Sequence, residues 1–245
     1  LDGGATLVRI DSNVVTLSRD FYDRPTLQVA SDLIGKLLVH DTPSGRASGL
    51  IVEVEAYIGE SDPACHAAPG RTRRNAPLYG PAGIAYVYLN YGMHYLVNAV
   101  TEAVDAPAAV LIRALEPREG IDLMRRRRAR GTGKPAKEWQ ELGLCRGPGN
   151  LTKSLGISLE ENGANLTGSR LFVEDVGVTL PIEWGPRIGI SVGVDSPWRC
   201  FVPGHSCVSG GPRYAGSARG AGYAWPRREP DDRTTGTRSS VARPS

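Results

Sequence analysis

AlaSerGlyLeuIleValGluValGluAlaTyr, residues 47–57, alternates polar and apolar side chains with a period of two and predicts a strand. Alternation sets Glu53, Glu55 and Tyr57 on one face and Val52, Val54 and Ala56 on the other. Just upstream, AspThrProSerGly at 41–45 has the composition of a hairpin turn, and residues 26–40 read as a short helix running into a strand. Downstream, 59–83 carries four prolines and four glycines and predicts a long functional loop. IleAlaTyrValTyrLeuAsnTyrGlyMetHisTyrLeuValAsnAlaVal, 84–100, reads as two strands joined by a sharp turn around Tyr91, Gly92 and Met93. Residues 108–114 form a further apolar strand, 120–130 a helix, and 147–156 begins as a helix. Strands are expected at 170–175 and 187–193, and ProTrpArgCysPheVal at 197–202 reads as the last ordered element. Hairpin-joined strands with irregularly placed helices favour an α+β fold: one domain with a curved, largely antiparallel sheet flanked by helices.

At 245 residues, with 40% hydrophobic and 22% charged residues, the chain has the material for one sizeable core. No apolar run reaches the ~18 residues of a membrane span, and residues 1–13 lack the basic-then-apolar order of a secretory signal, so a soluble intracellular protein is expected. Cys65, Cys145, Cys200 and Cys207 show neither CxxC spacing nor paired histidines, which argues against a bound metal and a disulfide framework. The net charge of +3 is concentrated at the C-terminal end, where seven arginines from Arg213 onward face Glu229, Asp231 and Asp232. The rest of the chain is therefore near neutral, and any polyanion must be met by local clusters. Two such clusters exist, Arg71, Arg73 and Arg74 in the Pro/Gly-rich loop and Arg125–Arg128 with Arg130 at a helix end. An arginine run is also what a solvated helix face looks like. The 212–245 tail has no Leu, Ile, Met or Phe, and its Arg/Gly/Ser/Pro composition predicts disorder.

Glu53 and Glu55 stand two residues apart on one strand face, roughly 6.5–7 Å by the strand rise, a distance compatible with a water between an acid and a base. Equally, one or both could pair with arginines on a solvated face. Arg113 ends the apolar strand AlaValLeuIleArg, where an unpaired charge would be costly, and Glu55 is its natural partner. Tyr86, Tyr88, Tyr91 and Tyr95 form an aromatic group interrupted by Gly92 and followed by Asn98. Tyrosines in strands are ordinary core material, the reading favoured for Tyr86 and Tyr95. An exposed aromatic at the turn beside a stacking pocket is what an enzyme needs to replace a base extruded from a duplex. His66, on the loop adjoining the carboxylate strand, suits a pocket wall or proton handling. No dinucleotide-binding or P-loop fingerprint occurs, and no lysine lies near this group to form a Schiff base, so no cofactor is expected.

Taken in order, PheTyrAspArgPro (21–25), AspLeuIleGlyLysLeuLeuVal (32–39), IleValGluValGluAlaTyrIleGly (51–59), AlaTyrValTyrLeuAsnTyrGlyMetHisTyr (85–95), ValLeuIleArgAlaLeuGluPro (110–117), CysArgGlyProGlyAsnLeuThrLys (145–153) and ArgIleGlyIle (187–190) resemble the alkyladenine (3-methyladenine) DNA glycosylase family. The resemblance covers roughly 18–211, which divides the chain into an N-terminal extension (1–17), a catalytic domain (18–211) and the 212–245 tail. It implies a base-excision repair hydrolase, working as a monomer on double-stranded DNA and cutting the N-glycosidic bond of alkylated or deaminated purines. In that family's terms Glu55 is the general base for water, with Arg113 and the backbone carbonyl of Ile188 holding that water. Tyr57, His66 and Tyr88 contact the flipped base, Tyr91 fills the gap in the duplex with Met93 beside it, and Asn98 opposes the amino group of guanine. Phosphate contacts fall to Arg71, Arg73 and Arg74 ahead of the Arg125–Arg130 run, and Glu53 becomes structural. A DNA-binding protein of the same fold without turnover is the alternative, against which Glu55 and Arg113 argue. A sugar glycosidase using Glu53 and Glu55 is a third reading, disfavoured because Trp139, Trp184, Trp198 and Trp225 do not cluster near the carboxylates.

Overall fold

Residues 14–210 are described by the computed structural model. Nine strands form one sheet, β1 (Val15–Thr16), β2 (Leu37–Thr42), β3 (Gly45–Ile58), β4 (Ala85–Asn90), β5 (His94–Val100), β6 (Ala108–Glu119), β7 (Leu171–Asp175), β8 (Glu183–Gly185) and β9 (Arg199–Phe201). Five α-helices accompany them among the described residues: α1 (Arg19–Tyr22), α2 (Thr26–Leu33), α3 (Ile121–Ala129), α4 (Glu141–Leu144) and α5 (Pro148–Leu155). Every pairing is antiparallel, in the order β1-β7-β2-β3-β6-β5-β4. The chain is thus an α+β domain built on an antiparallel sheet, as its alternating strands and hairpin turns predict.

The fourteen-residue β3 is the spine. Along one edge it pairs with β6. Its other edge is shared in series: β2 takes residues 45–50 through the Pro43-Ser44 turn, and β9 takes Glu53–Glu55 after β2 has left. Against β6 the register shifts on both sides of Glu53. Such irregularities re-aim side chains and increase local twist, and these fall at the two glutamates. Because β3 is covered on both faces, its burial is continuous from Ala47 to Ala56 rather than alternating.

Hydrophobic spacing explains the helices. In α2, Thr26, Val29, Ala30 and Leu33 are buried at i, i+3, i+4 and i+7, and this stripe packs on β3 and β6. In α5, Leu151, Thr152 and Leu155 face β5 and β6, with α3 alongside. Proline at its first position and Gly156 in the left-handed conformation after its last residue delimit α5.

Several expectations are corrected. Residues 187–193 are not a strand. Pro186 removes a donor, Gly189 and Gly193 adopt positive φ, and the Ile188 N–H donates to the Glu55 carboxylate instead of a ladder partner. The sheet reaches into the stretch set aside as an extension, since β1 pairs with β7 and Leu17 is buried. The 212–245 tail, with its expected disorder, lies outside the described residues. The Arg125–Arg130 run is only in part a solvated face: Arg126 and Arg130 are exposed, but Arg128 is buried and donates to the Leu144 carbonyl, Arg127 donates to the carbonyls of Ser154 and Leu155, and Arg125 pairs with Asp122.

Gly120 joins β6 to α3 at φ +73°, and a Cβ there would meet the Arg46 carbonyl and lie 3.0 Å from Ala47 Cα. Gly120→Ala is therefore expected to destabilise the domain by about 1–3 kcal/mol. Urea unfolding measures this, and an unchanged midpoint would contradict the strained junction.

Candidate active site

Period-two alternation on four adjacent strands brings the site together. Tyr57 opposes Ala109 and Glu55 opposes Leu111 across β3 and β6, Leu111 opposes Asn98 on β5, and Asn98 opposes Tyr86 on β4. Tyr88 and Arg113 follow two residues along their strands. The result is a cavity of about 390 Å³ whose lining includes Tyr57, His66, Tyr86, Tyr88, Asn98, Arg113 and Ile188, within the size range of small-molecule sites.

At the floor lie two fully buried carboxylates with a guanidinium between them. Arg113 donates through Nε to Glu53 (3.2 Å) and through Nη1 to Glu55 (3.0 Å). Both readings made for the pair change here: the face is not solvated, and a guanidinium rather than a water bridges the two acids. Glu53 has four donors, accepting also from Arg199 (2.8 Å) and from the backbone and hydroxyl of Ser209 (2.7 and 2.9 Å). Glu55 accepts from Tyr57 hydroxyl (2.9 Å) and Arg113 on Oε2, and from the Ile188 N–H on Oε1 (2.7 Å). An ionised carboxylate offers about four lone-pair positions, and the three donors leave the second position on Oε1 unfilled by the protein. Burial pushes the Glu55 carboxyl above its ordinary range, against the opposing pull of Arg113, Ile188 and Tyr57. Its three donors all line the cavity.

The Ile188 N–H is held in place by a second buried ion pair. Arg187 forms a bidentate bridge to Asp62 (2.6 and 2.9 Å), donates to the carbonyls of Ala56 and Gly193, and lies between the rings of Tyr57 (4.7 Å) and Trp198 (5.1 Å). The Ile188 carbonyl stands 3.5 Å from Arg113 Nη1. This residue therefore meets the glutamate through its N–H and faces Arg113 with its carbonyl.

The walls are aromatic. His66 packs edge-on against Tyr88 (4.4 Å between centroids) and meets the Tyr86 hydroxyl through Nδ1 (2.8 Å). Burial, aided by Arg74, lowers the His66 pKa and favours the neutral ring. Burial also raises Tyr57 and Tyr88 far above the ordinary phenol and pushes Tyr86 up to about 12, so all three stay protonated at neutral pH. Asn98 is buried and donates to the Tyr86 carbonyl (2.9 Å).

At the rim, Tyr91 and Met93 project from the β4–β5 turn and are 84% and 72% exposed, although large apolar side chains normally seek burial. Tyr91 itself has φ +49°, an unusual conformation for a bulky residue, next to Gly92 at +69°. Arg74 reaches from the long loop to the Leu89 carbonyl and lies 5.8 Å from the Tyr88 ring, Arg71 pairs with Asp105, and Arg73 is exposed. All predicted site residues except these loop arginines and Met93 border the cavity or, for Glu55, the network beneath it.

Sequence reasoning missed Asp62, Arg187, Arg199 and Ser209, which are contributed by loops and a three-residue strand, and it read Tyr86 as core only. Tyr86 is buried but also lines the cavity and holds His66. Counting back by two from Tyr88 was the signal that could have found it. All four cysteines are buried thiols, with Cys65 pushed up to about 11 and the other three to about 12 by burial. No group of three His, Cys, Asp or Glu among the described residues is placed to hold a metal, and none of their helices is long and apolar enough to cross a membrane.

Comparison with known proteins agrees with this geometry. Residues 20–206 match the family described as Methylpurine-DNA glycosylase (MPG). Proteins carrying 3-methyladenine DNA glycosylase in their names include one from Methanocella arvoryzae, 48% identical over 197 residues (79% of this chain and 95% of the relative). Another, from Rubrobacter xylanophilus, is 48% identical over 209 residues (81% and 99%), and one from Chlorobium phaeobacteroides is 45% identical over 197 residues (79% and 95%). The chain belongs to the methylpurine-DNA glycosylase family, whose name denotes hydrolases of N-glycosyl bonds in DNA.

Proposed function

We propose that the protein excises alkylated or deaminated purines from double-stranded DNA as a monomer, flipping the damaged nucleotide into the cavity and hydrolysing its N-glycosidic bond. The observation that carries this reading is a buried carboxylate, Glu55, whose three donors Tyr57, Arg113 and Ile188 all line an aromatic cavity of nucleobase scale. A water held there gives its proton to Glu55 while its oxygen bonds to C1′, and the purine departs with the electron pair of the broken bond. Arg113 orients Glu55, and the Ile188 carbonyl, 3.5 Å from Arg113, is the acceptor assigned to the same water. An N-alkylated purine such as 3-methyladenine already carries positive charge and leaves neutral. For such a base one general base suffices; a neutral deaminated purine leaves as an anion and takes its proton from solvent, and Glu53 holds Arg113 and Arg199.

Tyr57, His66 and Tyr88 are the surfaces for the extruded base, Tyr91 is the wedge that replaces it in the stack, and Met93 supports the wedge. Extrusion costs least for a base whose pairing is already weakened, which makes flipping the first filter. Asn98, fixed by its bond to the Tyr86 carbonyl, is the second, in our reading opposing the amino group of guanine. Arg71, Arg73 and Arg74 at the rim contact phosphates and contribute affinity independent of sequence. Its place in the cell is with the chromosomal DNA.

Glu55→Gln conserves shape and removes basicity. We expect binding of a lesion duplex to persist while single-turnover release of 3-methyladenine or hypoxanthine falls at least ~100-fold. Near-wild-type release by the variant would end the assignment. Since burial raises the Glu55 pKa, its protonation on acidification removes the base at a higher pH than for a solvated glutamate. The excision rate should therefore decline toward acid with a midpoint above the ordinary value of about 4.3, and a rate that is level down to that pH would refute it. Asn98→Ala is expected to raise release of normal guanine roughly tenfold, ~1.4 kcal/mol, while lesion activity persists; guanine release that stays flat would dismiss the steric gate.

A further inference from the structure

We propose that a second cavity, at the far end of α5 from the candidate active site, binds phosphate oxyanions. It encloses about 590 Å³, and Arg127, Arg130, Lys153 and Arg170 line it together with His40 and Ser158. Four cations and one carboxylate, Glu160, border one concavity in a domain whose body is otherwise near neutral. Arg170 is offset by Glu160 (3.2 Å) and Glu161 (2.8 Å). Arg127, Arg130 and Lys153 pair with no carboxylate among the described residues. Lys153 gives one of its three donors to the Arg130 carbonyl (3.3 Å), and Arg130 and Lys153 are both exposed. Burial and the neighbouring Arg130 and Arg126 pull the Arg127 pKa below its usual value, the direction expected where positive charges crowd without an anion.

A second observation comes from the floor. His40 is 1% exposed, and its Nδ1 lies 3.0 Å from the Leu155 carbonyl. A carbonyl only accepts, so Nδ1 carries the hydrogen. Nε2 makes no hydrogen bond, and what stands opposite it at 3.5 Å is Glu161 Oε1, itself an acceptor. With its hydrogen on Nδ1 the neutral ring leaves Nε2 an acceptor, a place for water or for the hydroxyl of a singly protonated phosphate rather than for a bare oxyanion oxygen. Gly156 is also part of the lining: a Cβ there would lie 2.8 Å from the Arg127 guanidinium, so a side chain at this position would displace that group from the end of α5. Several positive charges together with hydroxyls at the same mouth suit a tetrahedral, multiply charged oxyanion better than a lone carboxylate.

Two sources supply this chemistry. One is the backbone of the DNA. Pro148 at the start of α5 borders the first cavity and Gly156 just past its end borders the second. Eight residues at ~1.5 Å each separate them by ~12 Å, or about three to four base steps at ~3.4 Å per step. The other source is a small polyphosphate. The duplex source rests on the function proposed above; phosphate binding itself does not.

The test compares wild type with Arg130→Ser/Lys153→Ser, using Arg126→Ser as a charge control outside the cavity. If the duplex backbone is the ligand, the salt dependence of lesion-duplex affinity, d log K/d log[salt], falls by ~1–2 in magnitude in the double variant and by less than half that in the control, at ~0.9 per phosphate contact. If a small phosphate is the ligand, the salt slope is unchanged but calorimetric titration shows pyrophosphate binding to wild type and at least tenfold weaker binding to the double variant. An unchanged slope with no pyrophosphate binding overturns the proposal, as does an equal loss of slope in the control without such binding. Wild type that takes up pyrophosphate in this variant-sensitive way, yet neither binds nor cuts any lesion duplex, would remove the glycosylase reading and leave the second cavity standing.

Discussion

The Arg113 guanidinium between Glu53 and Glu55 is the interaction on which the site depends. Removing each ion from water costs several kcal/mol even after the protein relaxes, and three of them meet where exposure is at or near zero. The arrangement holds because it is nearly neutral and densely hydrogen bonded: two carboxylates face Arg113 and Arg199, and Ser209 supplies further donors to Glu53. Deleting Glu53 would leave two guanidiniums sharing one acid and free Arg113 to turn. The register shifts around Glu53 in β3 are the backbone counterpart of this requirement, since they aim the acidic side chains into the same layer as Arg113.

The second constraint is that an irregular segment supplies part of the floor. Loops tolerate motion, and a donor on a loop is useful only if something holds it in place. Here Arg187 does so, tied by two bonds to Asp62 at the start of the long loop and by one to the backbone of β3, with aromatic rings on both sides. The loop carrying His66 and the loop carrying Ile188 are consequently tied together. The rigidity that serves the Ile188 N–H also steadies the wall formed by Tyr57.

How much of this could be read beforehand depends on whether the signal was periodic. The alternation at 47–57 located β3 and the acidic face, and the Tyr91-Gly92-Met93 turn between two apolar runs located the hairpin and its exposed tip. Arg113 pointed to an anion because an apolar strand has no other use for it, and the structure supplies two. What was illegible is what period cannot encode. ArgIleGlyIleSerValGly at 187–193 alternates like a strand, but its N–H groups and its arginine are taken by distant partners. The short pairing of β1 with β7 leaves too few residues for any pattern, and Ser209 reaches Glu53 across 156 positions of sequence. The arginine run from 125 to 128 misled for a different reason: guanidiniums that cap the end of α5 and stack on Trp139 look, in sequence, like solvated ones.

On the reading proposed, the protonation states of the walls bear directly on which bases are removed. Phenols held protonated by burial and an imidazole held neutral present uncharged π faces, and the ionised groups stay at the floor with Arg113 and Glu55. A cationic alkylated purine is attracted by such faces, by ~0.5–2 kcal/mol per ring depending on desolvation, whereas a neutral purine gains only ordinary stacking. Two or three such rings give a preference of a few kcal/mol before any bond is broken. Charge on the departing base also lowers the chemical barrier, so both binding and reaction select for it. Neutral deaminated bases obtain neither advantage and must rely on weakened pairing, so the same cavity should handle them more slowly than cationic ones without any contact dedicated to telling the two apart.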